Sequence, residues 1–148
     1  MPAHANEDSS KLEDRIAIQD LISQYAYRWD GKDAAGFSAL FTEDAVLERW
    51  VQGERKSRIE GRAAILVYAQ QSHEGRLASR QTRHHMSAIV FHELSADAAI
   101  TENMVLITHQ ISGQPAPQVM GTGIYRNSWK KAEDGWKIEE RVLFSDRN

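Results

Sequence analysis

Between Leu12 and Trp29 the apolar residues return at helical spacing. Ile18, Leu21, Ile22, Tyr25, Ala26 and Trp29 follow the i, i+3, i+4, i+7 rule and form one stripe of a long helix, with Gly31 as its stop. Residues 1–10 are polar and aperiodic and read as a flexible tail. A short second helix is expected from Asp33 to Leu40, carrying Phe37, Leu40 and Phe41 on one side. Gly61 opens a third helix carrying Ala64, Ile65, Val67, Tyr68 and Ala69, and residues 71–80 read as a loop.

The rest of the chain has the look of strands. Ala45–Val51 and Arg55–Ile59 flank a tight turn at Gly53. Three long strands, Thr82–Glu93, Ala98–Ile111 and Val119–Lys130, and a fourth, Trp136–Phe144, are separated by SAD, SGQPAP and AEDG, each with turn chemistry. Helices first and long antiparallel strands afterwards predict an α+β domain over residues 11–148, a bent sheet wrapped around the first helix. The strands are apolar on both faces. On Thr82–Glu93, Met86, Ala88 and Val90 share one face and Ile89 and Phe91 the other. A sheet covered only by its own helices alternates more cleanly, so the outer face is expected to bury against another subunit and the inner face to line a pocket.

Composition narrows the function classes. With 26% charged and 41% hydrophobic residues the chain is expected to be a soluble globular protein. A net charge of −3, from 18 basic and 21 acidic residues, argues against nucleic acid and against an anionic membrane as partners. There is no cysteine, which excludes disulfides, thiolate catalysis and Cys-ligated zinc. No apolar run is long enough for a transmembrane helix, the start MPAHANEDSSK lacks the apolar core of a secretory signal, and the cytoplasm is the expected compartment.

Two residues carry the candidate chemistry. Asp30 falls at the edge of the Ala26–Trp29 stripe and near a helix C-terminus, where the helix dipole disfavours an anion. It is either an inward carboxylate or a turn aspartate of WDGKD. In TRHHMS, His84 shares a strand face with Thr82 and Met86, while His85 points the other way. His84 suits a general base, with Asp30 fixing its tautomer, or else is a hydrogen-bonded core histidine. His109 and Asn103 share a face with Thr101, Val105 and Ile107, which fits either a small-molecule pocket or an ordinary strand face. Adjacent His84 and His85 make no metal pair, and neither a Gly-rich phosphate loop nor a GxSxG elbow occurs. Trp50, Trp129 and Trp136 are expected as core or interface aromatics.

The stretches EDRIAIQDLISQYAYRWDGKDAAGFSALFTEDA, TRHHMSAIVFHELSADAA and GIYRNSWKKAEDGWKIEERVL resemble the SnoaL-like branch of the NTF2-like superfamily, most closely the scytalone dehydratases and hexachlorocyclohexane dehydrochlorinases. The resemblance implies a cone built from a strongly bent, mostly antiparallel sheet. It implies a catalytic Asp at the end of the first long helix, matched by Asp30, and a His early in the third strand, matched by His84. His109 falls at the spacing of a second pocket histidine of the scytalone dehydratases. Trp29 and Arg49 stand where those enzymes carry tyrosines, and Gly123 and Tyr125 fall near their substrate-holding Ser and Asn.

The expected activity is therefore a cofactor-independent lyase that eliminates water or another small leaving group from a small cyclic or aromatic substrate. Asp30, His84 and His109 would be catalytic, and Trp29, Arg49, Met86, Asn103, Val105, Ile107 and Tyr125 would bind substrate. No metal or organic cofactor is implied, and a dimer or trimer is expected. Two alternatives use the same fold: an isomerase or polyketide cyclase, and a non-catalytic subunit like the small subunit of ring-hydroxylating dioxygenases.

Overall fold

The computed structural model describes residues 3–147 and shows three helices and six strands of one sheet, with the third helix between the second and third strands. Helix α1 (Ala3–Asp30) is joined through α2 (Ala34–Ser38) to β1 (Phe41–Val51) and β2 (Glu54–Glu60). Helix α3 (Arg62–Glu74) then leads to β3 (Arg80–Leu94), β4 (Ala98–Ile111), β5 (Gln118–Ala132) and β6 (Gly135–Ser145). The sheet order is β2-β1-β6-β5-β4-β3. Every pairing is antiparallel except β1 with β6. This is the expected α+β architecture, a curved open sheet holding the N-terminal helices in its concavity. Ile18, Ile22, Tyr25 and Trp29 of α1 share one buried cluster with Phe37, Phe41, Ile65, Val105, Tyr125, Trp129 and Ile138.

Several boundaries differ from expectation. Helix α1 starts at Ala3, so residues 3–10, expected as a loose tail, are helical, while residues 1–2 lie outside the described residues. Asp8–Glu13 are exposed, so this first part is held by local helix propensity rather than packing. The stop is made one residue later than expected. Lys32 takes a left-handed φ of 56°, its N–H donates to Trp29 O, and the Asp33 N–H donates to Arg28 O, each at 2.9 Å. That is a Schellman closure, with Gly31 just before the left-handed residue. Asp33 caps α2 by accepting the Gly36 N–H at 2.8 Å.

The expected loop 71–80 is helical as far as Glu74. Ser72 and His73 are buried, and the His73 ring packs edge-on against Trp29 at 4.8 Å between centroids, a tertiary contact that extends α3. The largest correction lies in β3. Its pairing with β4 shifts between Ser87 and Val90, and Ala88 sits at φ 52°. This bulge inverts the alternation: Ile89 and Phe91 turn to the core and Val90 is left 51% exposed, opposite to the faces expected from an unbroken period of two. Trp129 and Trp136 are core residues, whereas Trp50 is half-buried.

Candidate active site

The end of α1 and the start of β3 meet at Asp30. Its backbone carbonyl, one of those a helix C-terminus leaves unpaired, accepts the Gln81 Nε2–H at 2.8 Å. Its carboxylate takes three more donors. Oδ1 accepts the Thr82 hydroxyl at 2.6 Å and His84 Nδ1–H at 2.7 Å, and Oδ2 accepts the His84 backbone N–H at 2.9 Å. Both side chains are buried, Asp30 7% and His84 8% exposed. Burial pushes the Asp30 carboxyl up, but the hydrogen bond and charge of His84, with the Thr82 and backbone donors, outweigh it and hold Asp30 below the ordinary carboxylate value. Asp30 is therefore an anion, and the proton on His84 Nδ1 is directed to it. In the neutral form of the ring the other nitrogen, Nε2, carries the lone pair.

His84 lines a cavity of about 210 Å³ between α1, the inner face of the sheet and the α3–β3 connection. Trp29, Arg49, Ile107, His109 and Tyr125, all expected at the site, line it too. Asp30 stands behind His84 and, with Tyr27, Arg83 and His85, lines a second hollow of about 400 Å³ on the other side of the His84 ring. Arg80 Nη1–H donates to His109 Nδ1 at 3.3 Å. A guanidinium can only donate, so His109 Nδ1 accepts and its proton sits on Nε2. Burial first, then the charges of Arg80, His84 and Arg76, hold His109 below the usual histidine value, so the ring is neutral at pH 7. The cavity thus combines one imidazole whose neutral form offers a lone pair with another that offers an N–H. That pairing can remove a proton and stabilise a developing oxyanion.

Met86, Asn103 and Val105, expected as binding residues, are not on the cavity wall. The β3–β4 register places Met86 opposite Val105, one inward step beyond His84 and Ile107. Val105 is buried in the core, Met86 packs against it, and Asn103 Nδ2 spends its donors on Met86 Sδ at 3.3 Å and Met104 O at 3.1 Å. At that level the interior is filled by Tyr25, Tyr125 and the Arg141 guanidinium lying 3.6 and 3.7 Å from their ring centroids. Other wall residues had not been singled out. Leu47, Ser57 and Ile59 were legible as inward positions of β1 and β2, whereas Arg76 and Leu77 fell in the segment read as a loop. Among the described residues no group of three His, Asp or Glu side chains converges as a metal site would.

Comparison with known proteins agrees with this architecture. A variant of Rv3472, a protein of unknown function from Mycobacterium tuberculosis, superposes with a TM-score of 0.78 at 26% identity, over 95% of this chain and 76% of that one. An NTF2-like protein with a cystatin-like fold from Novosphingobium aromaticivorans gives 0.75 at 26% identity, over 90% and 82%. A candidate scytalone dehydratase from the same organism gives 0.79 at 23% identity, over 93% and 87%, a likeness of fold. No curated protein matches the chain. The SnoaL-like domain profile matches residues 10–142, from α1 through the greater part of β6, and the chain belongs to the SnoaL-like family of NTF2-like folds.

Proposed function

We propose that the protein is a cofactor-independent lyase of the dehydratase type, a single catalytic domain over residues 11–148 acting on a small cyclic or aromatic substrate. The observation that carries this reading is the 2.7 Å contact between Asp30 Oδ1 and His84 Nδ1 beside a partly open cavity walled by aromatic, aliphatic and a few charged side chains. His84 Nε2 removes a proton from the carbon next to a carbonyl, and the C–H electron pair moves onto the carbonyl oxygen. His109 Nε2–H donates to that oxygen while it is negative. The electrons then return, the adjacent C–O bond breaks, and the imidazolium gives its proton to the departing oxygen, which leaves as water. Asp30 stabilises the imidazolium between the two transfers.

Replacing Asp30 by Asn or His84 by Ala, assayed on a panel of hydroxylated cyclic ketones, is expected to lower kcat by about 10²–10⁴-fold, the usual weight of a general acid–base group. Unchanged turnover of an identified substrate would exclude the pair. Loss of water also separates elimination from the isomerase and cyclase alternatives, which leave the mass unchanged. A purely structural subunit has no use for a carboxylate bound by three donors behind an imidazole, which disfavours the non-catalytic reading.

The same proposal includes a homo-oligomer formed through the outer sheet face. Trp50, Phe144, Ile124 and Met104 are consecutive register partners across β1, β6, β5 and β4 and make an apolar row, with Phe144 43% and Met104 54% exposed. No helix of the described residues is long and apolar enough to cross a membrane. The proposed compartment is the cytoplasm.

A further inference from the structure

The charged groups at the cavity are mostly guanidinium groups, and the one acid on its wall, Glu48, is already paired. Arg49 and Arg76 line the cavity, Arg80 stands behind His109, and Arg141 closes its inner end behind Tyr25 and Tyr125. Among the described residues none of these four guanidinium groups forms an ion pair. Their polar contacts are to neutral groups. Arg49 Nε–H donates to Ser145 Oγ at 3.2 Å, Arg76 Nη2–H to Tyr68 Oη at 3.4 Å, and Arg141 Nη1–H to Asn127 Oδ1 at 2.7 Å.

The nearby carboxylates are already engaged. Asp30 is committed to His84 and Thr82. Glu48 lies on the cavity wall beside Arg49, but it pairs with Arg58 and Arg55 and accepts Trp50 Nε1–H at 2.6 Å. In a chain whose net charge is −3, four guanidinium groups around one hollow with no free acid among them are not an average sample of the surface. Arg141 is the most telling. It is fully buried, its Nε and Nη2 have no hydrogen-bond partner, and two tyrosine faces are its main compensation. A buried cation without a counterion is costly, and an anion arriving in the adjacent cavity relieves that cost.

We propose that the substrate is an anion, a carboxylate carried on the cyclic or aromatic skeleton, held on the Arg49–Arg76 wall while its reacting C–H faces His84. Arginine is always protonated, and its planar fork of donors matches a carboxylate in two-point contact. Burial first, and then the charges of Arg80, His84 and Arg76, hold His109 below the usual histidine value, in keeping with a positive field at the hollow. The inner end has a second use in the same scheme, since the field of Arg141 favours the enolate formed when the proton leaves. This substrate class rests on the reading of Asp30 and His84 as the proton-transfer centre, but it makes a binding claim that can be tested without turnover.

The probes are 2-naphthoate and 2-naphthamide, equal in shape and different in charge, titrated against the full chain with tryptophan fluorescence as the readout, since Trp29 lines the cavity. At neutral pH and low salt the carboxylate is expected to bind roughly tenfold tighter or more, with the preference shrinking as salt is added. The double variant Arg49→Met/Arg76→Met should bring the two probes to near parity with the melting curve unchanged. Should the double variant fold poorly, Arg76→Met alone, an exposed position, should lose part of the preference. Asp30→Asn should keep or enlarge it, because that change removes a negative charge. Equal binding of the two probes by the native protein, no binding of the carboxylate, or a preference that persists without Arg49 and Arg76 would overturn the proposal. Failure of the proton-transfer reading appears elsewhere, as retained turnover in Asp30→Asn, so the two can fail independently.

Discussion

Asp30 occupies a position that local physics disfavours, since the last turn of a helix presents carbonyl ends to its carboxylate. Three donors from β3 reverse the balance, and all three come from the Thr82–His84 stretch. His73 shows the opposite situation. It is buried, neither ring nitrogen has a partner, and burial followed by the charges of Lys32 and Arg76, against a smaller contribution from Asp33, holds its pKa below the ordinary histidine value. The sign of the pH effect follows directly. Above about pH 6.5 both folded and unfolded chains keep the ring neutral, whereas below it the unfolded chain takes up a proton that the folded one resists. Stability therefore falls as pH drops through that window, and His109, shifted the same way, adds to the slope. His73→Phe keeps the edge contact with Trp29 and loses no hydrogen bond. We expect it to be at least as stable as the native chain at pH 7 and to lose less stability at about pH 5, as compared by thermal melts. An unchanged slope would remove His73 from the account.

On the scale of elements, β3 is where pattern and structure part. Its first half obeys the expected alternation and delivers Thr82 and His84 inward, and its second half is inverted by the bulge at Ala88. A non-glycine residue at φ 52° pays for the left-handed conformation, by about 1–2 kcal/mol for a residue with a Cβ. Ala88→Gly is expected to raise the unfolding free energy by roughly 0.5–1 kcal/mol, the strain relief less the added chain entropy of glycine, read from denaturant melts. A loss of stability would mean that the bulge is not strained there. The bulge was invisible in the sequence because Ser87, Ala88, Ile89 and Val90 are compatible with an unbroken strand, and only the pairing with β4 decides where the extra residue is accommodated. The stop of α1 has a similar history. Gly31 carried the visible signal, while the left-handed residue is Lys32, placed by the closure onto Trp29 and Arg28.

For the whole molecule, the two faces of the sheet have different tasks. The concave side holds α1, the core and the cavity, and the convex side carries the Trp50–Phe144–Ile124–Met104 row. If that row seats a second copy, Met104→Glu with Phe144→Glu should shift the sedimentation behaviour to that of a monomer while the fold is kept, because a charge buried in an apolar interface is strongly unfavourable. An unaltered oligomer would place the contact on another surface.

Order and type of the elements, the inward direction of Thr82, His84 and His109, and the absence of cysteine chemistry follow from local periodicity and composition, which each segment carries by itself. The partnership of Asp30 with His84, expected from the family resemblance and not from any local pattern, was made real only by tertiary structure, which alone also decided the retreat of Met86, Asn103 and Val105 from the cavity wall and the gathering of four arginines near one hollow. Those outcomes depend on how strands register, where a bulge resets the faces and how far the sheet curves. Such quantities belong to contacts between residues distant in the chain, and no window of local sequence contains them.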